Sequence, residues 1–152
     1  GKDPKNYTVA PIRLIFRFEI PDYALKGDKE LIFKPLLMRD LYSRPRAEKR
    51  LDLSLEKRDF GFSIPCSQLL QLQETIILPK GYKLLSSERK EEIENSVARY
   101  KGEIRQEGQK MILEQELALN KRVYQANEWK DVRRAVQAHR SFDQYLILKS
   151  DK

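Results

Sequence analysis

Residues 95–120 read NSVARYKGEIRQEGQKMILEQELALN, and this stretch decides the fold. Met111, Leu113, Leu117 and Leu119 fall on one parity, against Ile112, Glu114, Glu116 and Ala118 on the other. A period of two belongs to a strand with one face in a core and the other in water. In the preceding run Ser96, Ala98 and Tyr100 share a parity, with Val97 on the other, and Glu107-Gly108-Gln109 supplies turn chemistry between the two runs. The stretch therefore predicts an antiparallel hairpin. The period changes only after Tyr124. Trp129, Val132 and Val136 stand at helical spacing, with Glu128 and Asp131 in the first turn, where carboxylates complement the helix dipole. Asn127 is the expected N-cap, with Ala126 or Gln125 as alternative bounds, and the helix is expected to run to about Arg140. His139 and Arg140 then lie near its C-terminal carbonyls.

Working outward, Leu70, Leu72, Ile76 and Leu78 share one parity before the turn signal Pro79-Lys80-Gly81, which predicts a strand over 70–78. Tyr82 to Leu85 continues as a short strand, and Tyr145 to Leu148 forms a last one. Ser86 to Glu94 is polar, with a Glu, Lys and Arg content that fits one helical turn equally well. Leu51, Leu53 and Leu55 alternate, as does Phe60 with Phe62, so short strands are expected there. Further upstream, Val9 to Ile20 (VAPIRLIFRFEI) is the clearest strand pattern in the chain. Pro21-Asp22 and Gly27-Asp28 mark turns before Glu30–Met38, where Pro35 cannot donate to a ladder. That run predicts an edge strand or two short pieces. The whole reads as one mainly β domain over 1–152: an antiparallel β-sandwich with one C-terminal α-helix packed on an end or face through Trp129. Units of strand alternating with helix, the mark of a doubly wound sheet, are missing.

Composition narrows the function classes. The chain has 152 residues, 40% of them hydrophobic, enough for one core that buries roughly 68–70% of the surface of the unfolded chain. It holds one Cys and one His, Cys66 and His139, which excludes an intrachain disulfide and a zinc site built from several such ligands. No apolar run approaches the length of a membrane-spanning helix. The start, GKDPKNYT, has no apolar leader core, and Gly1 in place of Met is expected of a segment excised from a longer protein.

Candidate chemistry is sparse. A thiolate nucleophile needs a base in reach, which Cys66 and His139 can supply only if the fold joins them. Cys66 stands in Ile64-Pro65-Cys66-Ser67, with neither a glycine-rich turn nor a helix start to activate it, so both residues read as structural. The carboxylates Glu91, Glu92, Glu94, Glu114 and Glu116 read as a wet strand face rather than an acid/base pair or cation site. The net charge of +7 raises nucleic-acid binding. Arg39, Arg44, Arg46, Lys49, Arg50, Lys57 and Arg58 cluster in sequence, as do Lys130, Arg133, Arg134 and Arg140. Asp40, Glu48, Asp52 and Glu56 interrupt the first group, as on an ordinary solvated surface, so no nucleic-acid partner is expected. Phe16, Phe18, Phe33, Tyr100 and Tyr145 read as core aromatics. Gly81 and Gly102 lack phosphate-loop spacing. The expectation is no catalytic, cofactor-binding or metal-binding residue in this segment.

Several short motifs occur in a recognisable order: Leu36-Leu37, the Arg/Pro-containing connection before Leu51, and Glu74–Leu78 followed by Pro79-Lys-Gly-Tyr-Lys83. Ala98-Arg-Tyr100, Leu117-Ala-Leu-Asn-Lys-Arg-Val-Tyr124, Glu128-Trp-Lys130 and Tyr145-Leu-Ile-Leu-Lys149 continue it. In these the chain resembles, from about Leu31, a C-terminal domain of unknown function found in bacterial, Bacteroidetes-type, transglutaminase-like proteins. The resemblance implies a parent with a β-rich N-terminal domain, then a papain-like core with a Cys-His-Asp constellation, then this segment. It implies a periplasmic, surface-attached or secreted parent and no catalytic residue here. The function expected is that of a non-enzymatic accessory domain that packs against or positions a transglutaminase-like or protease-like neighbour. The alternatives are a cell-envelope module for carbohydrate or protein, which calls for an exposed aromatic patch, and a nucleic-acid-binding domain.

Overall fold

The computed structural model describes residues 19–38, 50–85 and 88–150. The expected strand over 9–20 lies outside these except for Glu19 and Ile20, as do Phe16, Phe18 and the basic residues Arg39 to Lys49. Among the described residues the architecture is mostly antiparallel β, sandwich-like, with one late helix.

The hairpin that decides the sequence reading is the centre of the larger sheet. Strand β7 (Ala98–Glu107) and β8 (Lys110–Leu119) pair over their full length. Gly108 (φ 60°) supplies the left-handed backbone that so tight a turn requires. β4 (Gln68–Ile77) lies on the other side of β8, and β6 (Arg89–Glu94) on the other side of β7, giving the order β4-β8-β7-β6. Ala98, Tyr100, Ile104, Met111, Leu113, Leu117 and Leu119 all point inward and are buried, as the alternation predicts. β6 replaces the helical turn that fits residues 86–94. Its polar residues hold it as an edge strand through tertiary partners: Arg89 reaches Ser141 on the helix, and Lys101 pairs with Glu92 across the strands.

A second sheet gathers distant pieces of chain. β1 (Leu25–Lys26) and β2 (Glu30–Phe33) form a hairpin over Gly27-Asp28, β10 (Leu146–Ser150) pairs with β2, and β5 (Tyr82–Leu84) closes the order β1-β2-β10-β5. The run 30–38 is therefore two pieces, and its strand is interior rather than an edge: β2 ends at Phe33, and a 3₁₀ turn over Leu36–Met38 follows Pro35. Leu31, Phe33, Leu84, Leu146 and Leu148 join the inner faces of both sheets in one core. β3 (Phe62–Ser63) and β9 (Val123–Tyr124) form a small third ladder.

Helix α1 (Trp129–Ser141) lies on the larger sheet and buries Trp129, Val132, Ala135, Val136 and Ala138. A 3₁₀ turn over Ala126–Glu128 leads into it, with Gln125 rather than Asn127 at its boundary. The Glu128 carboxylate accepts from the Gln125 N–H at 2.8 Å, as in a capping box. Residues 51–55 are not a strand. Their carbonyls point at the helix instead: Leu55 accepts from Trp129 Nε1 (2.8 Å), Leu53 from Arg133 Nε (2.9 Å) and Leu51 from Arg140 Nη2 (3.1 Å). The alternation of Leu51, Leu53 and Leu55 thus marks an extended strap whose backbone is satisfied by helix side chains rather than by a ladder.

Candidate functional site

The fold does not assemble a Cys–His pair. Cys66 is exposed in the loop between β3 and β4. His139 turns into the seam between α1 and the larger sheet, where its Nδ1 lies 2.8 Å from Gln115 Oε1 and its ring stands edge-on to Tyr100. Its neighbour is an amide on the middle of β8 rather than a thiol.

Of the candidate carboxylates, Glu92, Glu114 and Glu116 lie on the outer face of the larger sheet around a shallow concavity of about 650 Å³, whereas the Glu91 side chain shares the inward parity of Ile93 and turns toward the helix side. The floor of the concavity is the backbone of the row Leu72, Gln115, Gly102 and Glu91. Gly102 faces the other way, inward. A Cβ there would lie 2.7 Å from Tyr100 Cζ and 2.8 Å from Phe142 Cζ, so glycine is what lets Tyr100 and the end of α1 close onto the strand. Around the concavity the charges neutralise one another. Glu116 accepts from Gln71 Nε2 (2.8 Å) and from Arg99 (2.9 and 2.5 Å). Glu114 accepts from Gln73 Nε2 (2.9 Å) and Arg105 (2.7 Å), and Glu92 pairs with Lys101 at 2.6 Å. The amide of Gln71, then the Arg99 guanidinium, hold the Glu116 carboxyl below the usual range, and Lys101 does the same for Glu92. Carboxyls stabilised in their ionised form are poor proton carriers near neutrality. None of the described side chains around the concavity is aromatic, whereas stacking a sugar ring or a base calls for such a ring.

Four basic residues are likewise drawn into the structure, while Arg50, Lys57, Lys130 and Arg134 are exposed. Arg133 and Arg140 bond the strap, and Arg58 lies over Trp129 (4.2 Å) and Phe62 (4.7 Å). Arg89 lies over the Phe142 ring at 4.2 Å. No helix among the described residues is long and apolar enough to cross a membrane, and no group of three or more potential metal ligands occurs among them.

One surface feature escapes the sequence reading. Tyr145, expected in the core, is 63% exposed. The register of the second sheet places Leu25 opposite Ile32, and Ile32 opposite Ile147; Leu85 donates its N–H to the Ile147 carbonyl at 2.8 Å. Leu25, Ile32, Ile147 and Leu85, the last just beyond β5, therefore form one apolar row on the outward face, and Tyr145 stands immediately before β10, two residues ahead of Ile147. Leu25 is 69% and Leu85 51% exposed. The available signal is the unbroken run Tyr145-Leu-Ile-Leu148: continuous rather than alternating apolarity places apolar side chains on both faces of a strand.

A comparison with curated proteins returns no match. Among solved structures, the chain is similar to a protein from Parabacteroides distasonis ATCC 8503 described as a "putative protease". The two share 21% identity with a TM-score of 0.64 over 84% of this chain and 24% of that one. The likeness is one of fold, and the chain spans about a quarter of that protein's length. A family model for a domain of unknown function, DUF3858, matches residues 29–148, nearly the whole described sandwich from β2 into β10. The chain belongs to that family of domains of unknown function, DUF3858.

Proposed function

We propose that this domain is a non-catalytic accessory module that packs against and positions a transglutaminase-like or protease-like domain in the same longer chain, outside the cytoplasm. The observation that carries this reading is that the fold recurs as about a quarter of a longer protein described as a "putative protease". The domain's own chemistry points the same way. Its only thiol and imidazole sit in different parts of the fold, and its clustered carboxylates are committed to Gln, Lys and Arg partners. A carbohydrate-binding module would call for a patch of exposed aromatic rings; the concave face carries carboxylates, amides and ammonium groups, and the outward row of the second sheet has the single ring of Tyr145 beside it.

The test is to compare the parent protein with and without residues 1–152. The expected result is a clear drop in the catalytic domain's thermal stability or in its kcat/KM toward a protein substrate. Equal stability, export and kinetics in the two forms would remove the reading.

A further inference from the structure

We propose that the outward apolar row of the second sheet is the docking surface for the neighbouring domain of the same polypeptide. This rests on the accessory reading above and assigns a surface to it. Single exposed apolar side chains are ordinary on any protein. Here the register joins Leu25, Ile32, Ile147 and Leu85 into one row, with Tyr145 beside it, and such a contiguous patch marks an interaction site. Tyr145 is the aromatic anchor that interface cores favour. The next row across the same face is Glu30, Lys149 and Lys83, a polar rim whose charge is mainly positive. The partner surface that fits is apolar at its centre and acidic along that side.

Size decides between a second copy and a tethered neighbour. A stable free dimer buries roughly 1,200–2,000 Å² using about 20–30 residues a side, far more than five side chains supply. A linker raises the effective concentration of an attached domain into the millimolar range, where a small patch suffices. The solved neighbour is about four times as long as the part that matches, so a chain of this type carries other domains.

The experiment uses the full-length parent with the double substitution Leu85→Glu and Tyr145→Glu, beside a control pair, Leu69→Glu and Ile77→Glu, at exposed apolar positions on β4 of the other sheet. The expected result is at least a tenfold faster proteolytic cut at the junction with the preceding domain, and two separate thermal transitions in place of a coupled one. The control pair leaves both unchanged. The same double substitution in the 152-residue chain leaves its melting temperature unchanged, because both side chains are exposed. Junction cleavage equal to that of the unaltered parent would overturn the assignment. So would dimerisation of the 152-residue chain that the double substitution abolishes, since the occupant would then be a second copy. If deleting the domain alters the parent while the double substitution does not, the accessory reading stands and the surface is wrong. If deletion changes nothing, the accessory reading itself fails.

Discussion

At the scale of single residues, Tyr100 carries the least expected chemistry. It is fully buried, its ring stands edge-on to Phe142 (5.6 Å) and His139 (5.8 Å), and its hydroxyl finds no hydrogen-bond partner among the described residues. Burial first, and the nearby Glu91 carboxylate second, push its pKa well above the ordinary value near 10. A buried hydroxyl without a partner costs about 1–3 kcal/mol, whereas an apolar replacement of the same shape is nearly neutral or stabilising. Tyr100→Phe is therefore expected to hold or raise stability, by up to about 1 kcal/mol, at neutral pH. The pH dependence has a definite sign. With the folded pKa raised, the unfolded chain loses its proton first, so the contribution is complete below pH 10 and is lost as pH climbs above it. Urea midpoints measured from pH 7 to 11 should fall more steeply for the parent sequence than for Tyr100→Phe. A variant destabilised by more than about 1 kcal/mol at pH 7 would show instead that the hydroxyl is satisfied.

At the scale of elements, the strap over 51–55 shows where pattern reading stops. Its three carbonyls are held by Trp129, Arg133 and Arg140, all on the helix, and no residue periodicity encodes a side chain that reaches a distant backbone. Arg133→Met keeps helix propensity and stem packing but leaves the Leu53 carbonyl without its donor. It should cost about 1 kcal/mol and speed amide exchange across residues 51–58, with the β7–β8 hairpin unaffected. Unchanged exchange in the strap would mean that Arg133 does not hold it. By contrast, the hairpin and the body of the helix are legible, though not the helix start, because burial on one face imposes periods of 2 and 3.6 on the sequence itself. β6 was illegible for a different reason: Arg-Lys-Glu-Glu-Ile-Glu has no strand propensity to show, and its placement depends on Arg89 reaching Ser141 and the ring of Phe142. The outward apolar row was hidden because a row exists only once four strands, separated by up to about 120 residues, are set in register. Only the unbroken apolar run at Tyr145–Leu148 hinted at it.

At the scale of the whole molecule, described carboxylates in several regions are tied to Lys, Arg and amide partners, and this makes acid the condition that probes the fold most broadly. Four carboxyls in separate regions have lowered pKa values: Asp52 in the strap, Glu92 on β6, Glu116 on β8 and Glu128 ahead of α1. Their main causes are hydrogen bonds from Ser54, Lys101, Gln71 and Lys121 respectively. A carboxyl whose folded pKa is depressed stabilises the fold above its unfolded value, near 4, and that contribution is lost as pH falls through the folded value. Because the four groups tie strap, sheet and helix start separately, their protonation loosens all three together. As the remaining acids among the 23 Asp and Glu also protonate, the 30 Lys and Arg cations are left without counter-charges on the chain and repel one another. The urea midpoint is therefore expected to be level from pH 7 to about 5 and to fall continuously below about 4. In Glu116→Gln, which keeps the shape but carries no charge, the neutral-pH midpoint should drop toward the acid value and the slope below pH 4 should flatten. A midpoint that stays level to pH 3 would show that the ion pairs on the sheet face contribute nothing to holding the sandwich together.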